Sequence, residues 1–118
     1  LLEGDEGPNT GGMGSYTRPP IATQAVIDEV RRRVIEPTIA GMAAEGSPFT
    51  GCLYCGMMLT DDGPVVIEYN VRFGDPETQA QLPLAGDALF DVLFSAAEGD
   101  LSGDDVDLDG GGASVCVV

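Results

Sequence analysis

The strongest constraint on the fold lies between Phe49 and Asn70. Two runs rich in apolar and aromatic residues, Phe49–Thr60 and Pro64–Asn70, are joined by Asp61-Asp62-Gly63. Asp-Gly between two such runs signals a β-hairpin, because tight turns need residues that tolerate positive φ. The two runs are therefore expected to pair antiparallel. Gly51 and Gly56 interrupt the first run and predict close approach of backbone or ligand. The second run ends in a polar row: Glu68, Asn70 and Arg72 stand two residues apart. Side chains alternate along a strand, so these three share one face, with Ile67, Tyr69 and Val71 on the other. Glu68 and Asn70 offer hard oxygen ligands of the kind Mg²⁺ takes. Arg72 offers a planar fork of donors matched to phosphate. Together they can hold a metal–phosphate unit. A strand end with a solvated polar face has the same pattern, and the row alone leaves both readings open.

Around the hairpin the pattern is helical, so the expected class is α+β: antiparallel β-strands with flanking helices. Residues 1–20 are polar and rich in Gly and Pro. The stretch from Asp5 to Gly14 holds four glycines and Asn9. Such a loop can turn successive N–H groups toward an anion; a mobile surface loop has the same composition. It lacks the Gly-Lys-Ser/Thr of a P-loop. Residues 22–35 carry Ala22, Val26, Val30 and Val34 at helical spacing, with Thr23 as a cap. Arg31, Arg32 and Arg33 would then occupy the last turn, where cations suit the helix dipole, or pair with Asp28 and Glu29. Pro37 should interrupt that helix and open a second one ending at Gly46.

Beyond the polar row, Asp75 is placed to cap a helix opening at Pro76, with Glu77 in its first turn. A short helix is expected over Thr78–Leu84. A firmer one is expected over Asp87–Glu98, capped by Asp87, with Leu89, Phe90, Leu93, Phe94 and Ala97 as its apolar face and Gly99 as its stop. Residues 100–112 are acidic and Gly-rich, as a linker would be. Ala113–Val118 reads as a strand whose partner is expected from sequence outside the chain. Both ends are abrupt, which predicts a piece of a longer polypeptide. A lone hairpin with a few helices buries little apolar area, so help from neighbouring sequence or a second copy is expected.

The charge balance narrows the classes of function. The 118 residues include 20 acidic side chains against five arginines, with no lysine and no histidine, for a formal net charge of −15. Nucleic-acid phosphates would be repelled, so no nucleic-acid role is expected. No apolar run approaches the ~20 residues that span a bilayer, and no membrane role is expected. So much acid, spread along the chain, repels itself at low salt. At molar salt the Debye length falls to about 3 Å and the repulsion is screened. The composition therefore predicts a salt-rich, halophilic cytoplasm; an acidic surface kept for a basic partner is the alternative. The odd count of Cys52, Cys55 and Cys116 argues for reduced thiols in a cytoplasmic setting. On a strand, Cys52 and Cys55 would face opposite ways, so packing is favoured over a metal or redox role.

Two motifs stand in order, Gly7-Pro-Asn-Thr-Gly-Gly-Met-Gly14 and Arg72-Phe-Gly-Asp-Pro-Glu-Thr-Gln79. With Val66-Ile-Glu-Tyr-Asn70 between them, the chain resembles the phosphoribosylamine–glycine ligases (glycinamide ribonucleotide synthetases) of the ATP-grasp superfamily. The resemblance covers essentially the whole chain. It implies that residues 1–107 form the C-terminal part of an ATP-grasp domain and that 108–118 begin the next domain. The N-terminal domain, most of the adenine pocket and the lysine-bearing loop over ATP would lie in the rest of the same polypeptide. The implied reaction joins glycine to 5-phosphoribosylamine at the expense of ATP, through a glycyl phosphate, in purine biosynthesis. Glu68 and Asn70 would hold Mg²⁺ or Mn²⁺ between ATP phosphates, and Arg72 would stabilise the transferring phosphoryl group or the substrate carboxylate. Asn9, Thr10, Gly11 and Gly12 would hold a substrate, and Asp5 would attract the glycine ammonium group. Asp75 and Glu77 would bind the ribose or the amine. The chain alone is expected to be inactive. The rival readings are another ATP-grasp carboxylate–amine ligase and a non-catalytic acidic interaction domain.

Overall fold

The computed structural model describes residues 2–8, 10–101 and 110–118, and of Asp5 the backbone only. It is α+β, with two separate two-stranded antiparallel sheets and helices against them. A short 3₁₀ turn, Glu3–Asp5, leads to strand β1 (Gly14–Tyr16). Helix α1 (Gln24–Val30) follows, then a π-helical turn Arg31–Ile35, then α2 (Glu36–Ala44). The hairpin is β2 (Tyr54–Thr60) and β3 (Gly63–Asn70). Helices α3 (Glu77–Ala85) and α4 (Ala88–Glu98) come next, and β4 (Val115–Val117) pairs with β1.

Pro37 does not end the first helix. It lacks the N–H that the Arg33 carbonyl would accept in an α-helix, and its ring needs room there. The chain widens instead: the Glu36 N–H reaches back to Arg31 O, and the helix continues through the proline. Arg31, Arg32 and Arg33 therefore sit inside one long helix, not at a dipole end. Arg33 pairs with Glu29 at 2.7 Å, while Asp28 accepts from Gln24. Thr23 caps α1 as expected, accepting from Val26 N. Gly46, at φ 78°, terminates α2, with Ser47 N donating to Met42 O.

Other boundaries move for local reasons. β2 starts at Tyr54 instead of Phe49, beyond Gly51 at φ 134°, which breaks the extended run. Asp87 stands before α4 without accepting a capping bond; its own carbonyl takes the Phe90 N–H. Phe90 and Phe94 stack at 6.2 Å yet are 72% and 58% exposed, so the apolar face of α4 is largely uncovered. The final strand needs no outside partner, because β1 supplies one: Gly14, Ser15 and Tyr16 face Val117, Cys116 and Val115.

The core is correspondingly small. Among the described residues the buried hydrophobic side chains are Val34 and Ala80, with Pro76 fully enclosed. The radius of gyration is 15.8 Å, against roughly 13.5 Å for a compact domain of this length. Helix α1 lies against β3, and Thr38 of α2 bonds the Tyr69 hydroxyl of β3 at 2.9 Å. Among the described residues, no helix is long and apolar enough to cross a membrane.

Candidate functional site

The site is built on an irregularity in the hairpin. From the turn outward, Thr60 faces Gly63 and Met57 faces Val66, but the next pair is Gly56 with Glu68. Ile67 is thus an extra residue, a β-bulge that re-aims everything after it. Glu68 now lies across from Gly56, where a Cβ would come within 3.1 Å of Glu68 Cγ. The bare glycine gives the carboxylate its place. Two residues on, Asn70 faces Tyr54.

The predicted row is continuous. Asn70 Nδ2 donates to Glu68 Oε1 at 3.1 Å, and Arg72 Nη2 donates to Asn70 Oδ1 at 3.4 Å. Arg72 Nη1 also donates to Phe73 O at 2.8 Å, which fixes the guanidinium along the strand end. Glu68 and Arg72 are exposed and Asn70 is half-buried, so the row can be reached from solvent. A carboxylate, an amide and a guanidinium within mutual reach can take up a cation and phosphate oxygens together.

Glu77 joins this face from α3. Tyr54 OH donates to Glu77 Oε1 at 3.2 Å. Burial pushes the Tyr54 hydroxyl pKa above its ordinary value, and the Glu77 charge and hydrogen bond add to the rise. Gly74 is buried between the two: a Cβ there would overlap Glu77 Oε2 and lie 2.8 Å from the Tyr54 ring. Asp75 behaves differently from its expected role as a cap. The Thr78 N–H and hydroxyl both go to Gly74 O, while Asp75 Oδ1 accepts from Gln79 Nε2 at 2.7 Å on the exposed side. The Asp75–Pro76 peptide is cis.

The Gly-rich loop docks onto this segment. Ser15 Oγ donates to Pro76 O at 2.7 Å, across 61 positions of sequence. A Cβ on Gly12 would overlap Pro76 Cδ, so only glycine allows the loop this close. Behind it, Gly14 is pressed on β4, where a Cβ would stand 2.7 Å from Cys116 O. Thr10 and Gly11 are exposed, and Gly11 has open space around it. Asn9 and the Asp5 side chain lie outside the described residues.

The structure therefore gathers Glu68, Asn70, Arg72 and Glu77 on one side, with Gly12 and Asp75 at the loop contact. The sequence reading missed Tyr54, Ser15 and Gln79. Tyr54 was reachable in principle by counting pairs back from the Asp61-Asp62 turn, but the uncounted bulge shifts its partner by one. The Ser15 bond is long-range and leaves no local signal. The three cysteines are free and half-buried, and burial raises the Cys55 thiol pKa. Among the described residues no three His, Cys, Asp or Glu side chains converge as a protein-only metal cage.

The comparisons with known proteins agree with one another. Residues 1–78 match the family described as phosphoribosylglycinamide synthetase, ATP-grasp (A) domain. A phosphoribosylamine–glycine ligase of Caulobacter vibrioides is 49% identical over 116 residues, 98% of this chain and 27% of that protein. The trifunctional purine biosynthetic protein adenosine-3 of Bos taurus is 50% identical over 99 residues, 84% of this chain and 10% of that protein. The crystal structure of a phosphoribosylamine–glycine ligase from Thermotoga maritima superposes with TM-score 0.72 at 37% identity, covering 97% of this chain and 28% of that one. This chain thus spans about a quarter of the single-function ligases that it matches.

Proposed function

This chain belongs to the phosphoribosylglycinamide synthetase family, and on that premise we propose that it supplies part of the active site of a phosphoribosylamine–glycine ligase. The intact protein would join glycine to 5-phosphoribosylamine in purine biosynthesis, giving glycinamide ribonucleotide, ADP and phosphate. The observation that carries this reading is the docking of the Gly-rich loop onto the Asp75–Pro76 segment beside the Glu68–Asn70–Arg72 row.

The donor set fits a hard divalent cation. The Asn70 amide turns its Nδ2 to Glu68 Oε1 at 3.1 Å and its Oδ1 to Arg72. Turned over, it would set Oδ1 beside the Glu68 carboxylate, and two oxygen ligands suit an ion that keeps waters and shares substrate phosphates. Glu68 and Asn70 would hold Mg²⁺ or Mn²⁺, which would neutralise charge on the ATP phosphates. Phosphoryl transfer asks mainly for positioning and charge stabilisation. Arg72, fixed along the strand end, would meet the negative charge that spreads over the γ-phosphoryl oxygens as the glycine carboxylate attacks and ADP leaves. The amine of 5-phosphoribosylamine would then attack the glycyl phosphate carbonyl, phosphate would depart, and the nitrogen would lose a proton to water or a carboxylate. Asp75 and Glu77 would bind the ribose or the amine. Asp5, Asn9, Thr10, Gly11 and Gly12 belong to the loop that would hold the glycine end.

The reading extends to the rest of the polypeptide. Residues 1–107 would complete an ATP-grasp domain whose adenine pocket lies in the remaining sequence, and 108–118 would begin the next domain, with β4 tied back to β1. The setting would be a cytoplasm, and the net charge of −15 suits one rich in salt. Thermal melts should rise between ~0.1 and ~3 M KCl as repulsion is screened; flat melts would remove the halophilic reading. The activity test is ADP release by the full-length protein with 5-phosphoribosylamine and each of several amino acids. Release should require glycine, and glycine-independent turnover would overturn the assignment.

A further inference from the structure

Glu77 stands where two elements meet, and one side chain reaches it from the hairpin. Tyr54 lies on β2 across from Asn70, so its ring shares the face of the polar row. Its ring packs against Gly74, and its hydroxyl spans 23 positions of sequence to Glu77 Oε1. A glutamate in the first turn of a helix is already favoured there by the helix dipole and needs no donor from another element. A free Glu side chain, however, loses up to about 2 kcal/mol of rotamer freedom when a ligand fixes it. A carboxylate already pinned by a hydrogen bond has lost much of that freedom before binding.

We propose that Tyr54 is a positioning residue that holds the Glu77 carboxylate in place for the amine substrate. This rests on the reading above in which Glu77 binds 5-phosphoribosylamine. The ring and the hydroxyl do separable work. The ring fills the space left by Gly74, and the hydroxyl directs Glu77. Tyr54→Phe keeps the first and deletes the second.

The test uses the full-length protein with Tyr54→Phe, Glu77→Gln and the double variant. Tyr54→Phe should raise KM for 5-phosphoribosylamine about fivefold, the scale of the rotamer freedom that an unpinned Glu77 must then lose on binding. Its kcat, its KM for ATP and its melting temperature should stay near wild type. Glu77→Gln should raise the same KM further, and the double variant should be no worse than Glu77→Gln alone. Unchanged KM in Tyr54→Phe alongside raised KM in Glu77→Gln overturns the role of Tyr54 and leaves that of Glu77 standing. Unchanged KM in both overturns the substrate role of Glu77 and the proposal with it. Additive effects in the double variant, or a fall in melting temperature with all KM values shifted together, make Tyr54 a packing residue and overturn the proposal.

Discussion

The hairpin and the Gly-rich loop carry the two halves of the candidate site, and they hold their groups by different means. On the hairpin, Glu68, Asn70 and Arg72 are aligned by strand periodicity and by bonds within the row itself. On the loop, position comes from elsewhere: Ser15 and Gly12 rest on Pro76, and Gly14 and Met13 rest on β4. One half is organised locally, the other through contacts across most of the chain. Substitutions in the hairpin should therefore remove chemistry and spare structure. Substitutions in the loop should disturb structure and chemistry together.

The largest expected effect is at the row. In the full-length protein Glu68→Gln replaces a carboxylate by a neutral amide on an exposed strand position. It should lower kcat/KM by about 10³, a scale common for lost electrostatic stabilisation in an active site, while the melting temperature holds. Activity near wild type, or a collapse in stability, would undo the local picture of this half. Next comes the loop. Gly12→Ala puts a methyl group into the Pro76 ring and should cost ~1–3 kcal/mol by overpacking. KM for glycine should rise with it, as read by thermal melts and steady-state kinetics on the same preparation. Its neighbour supplies the smallest effect: Gly11→Ala meets open space and should stay within ~0.5 kcal/mol of wild type. Equal behaviour of the two alanines would erase the contrast between docked and undocked loop positions.

The same contrast explains what was legible in the chain. The Asp61-Asp62 turn, the antiparallel pair and the shared face of Glu68, Asn70 and Arg72 follow from rules that act over a few residues. So do the Thr23 cap and the stops at Gly46 and Gly99. The π turn before Pro37 was hidden because proline permits two outcomes, a break or a widening, and the residues around it do not choose between them. The bulge at Ile67 was hidden because Val65, Val66 and Ile67 are all apolar, so no change of pattern marks where the pairing slips. The partner of β4 was hidden because three-residue strands carry almost no signal, and β1 itself lay in a stretch without period. Asp75 looked like a cap from its place before Pro76, yet Gly74 O accepts the Thr78 N–H and Asp75 turns outward to Gln79.

The pairing of β1 with β4 also sets an order of events. Thr17 and Ser114, bonded in the folded chain, are 97 positions apart. A ribosome adding roughly 5–20 residues per second takes on the order of 5–20 s to travel that distance. Once Asn70 has been added, partway through that interval, both strands of the hairpin are made and it can close on itself. The Gly-rich loop, though it leaves the ribosome earlier, has no strand to pair with until the last of these residues appears. The half of the site translated first is thus the half completed last.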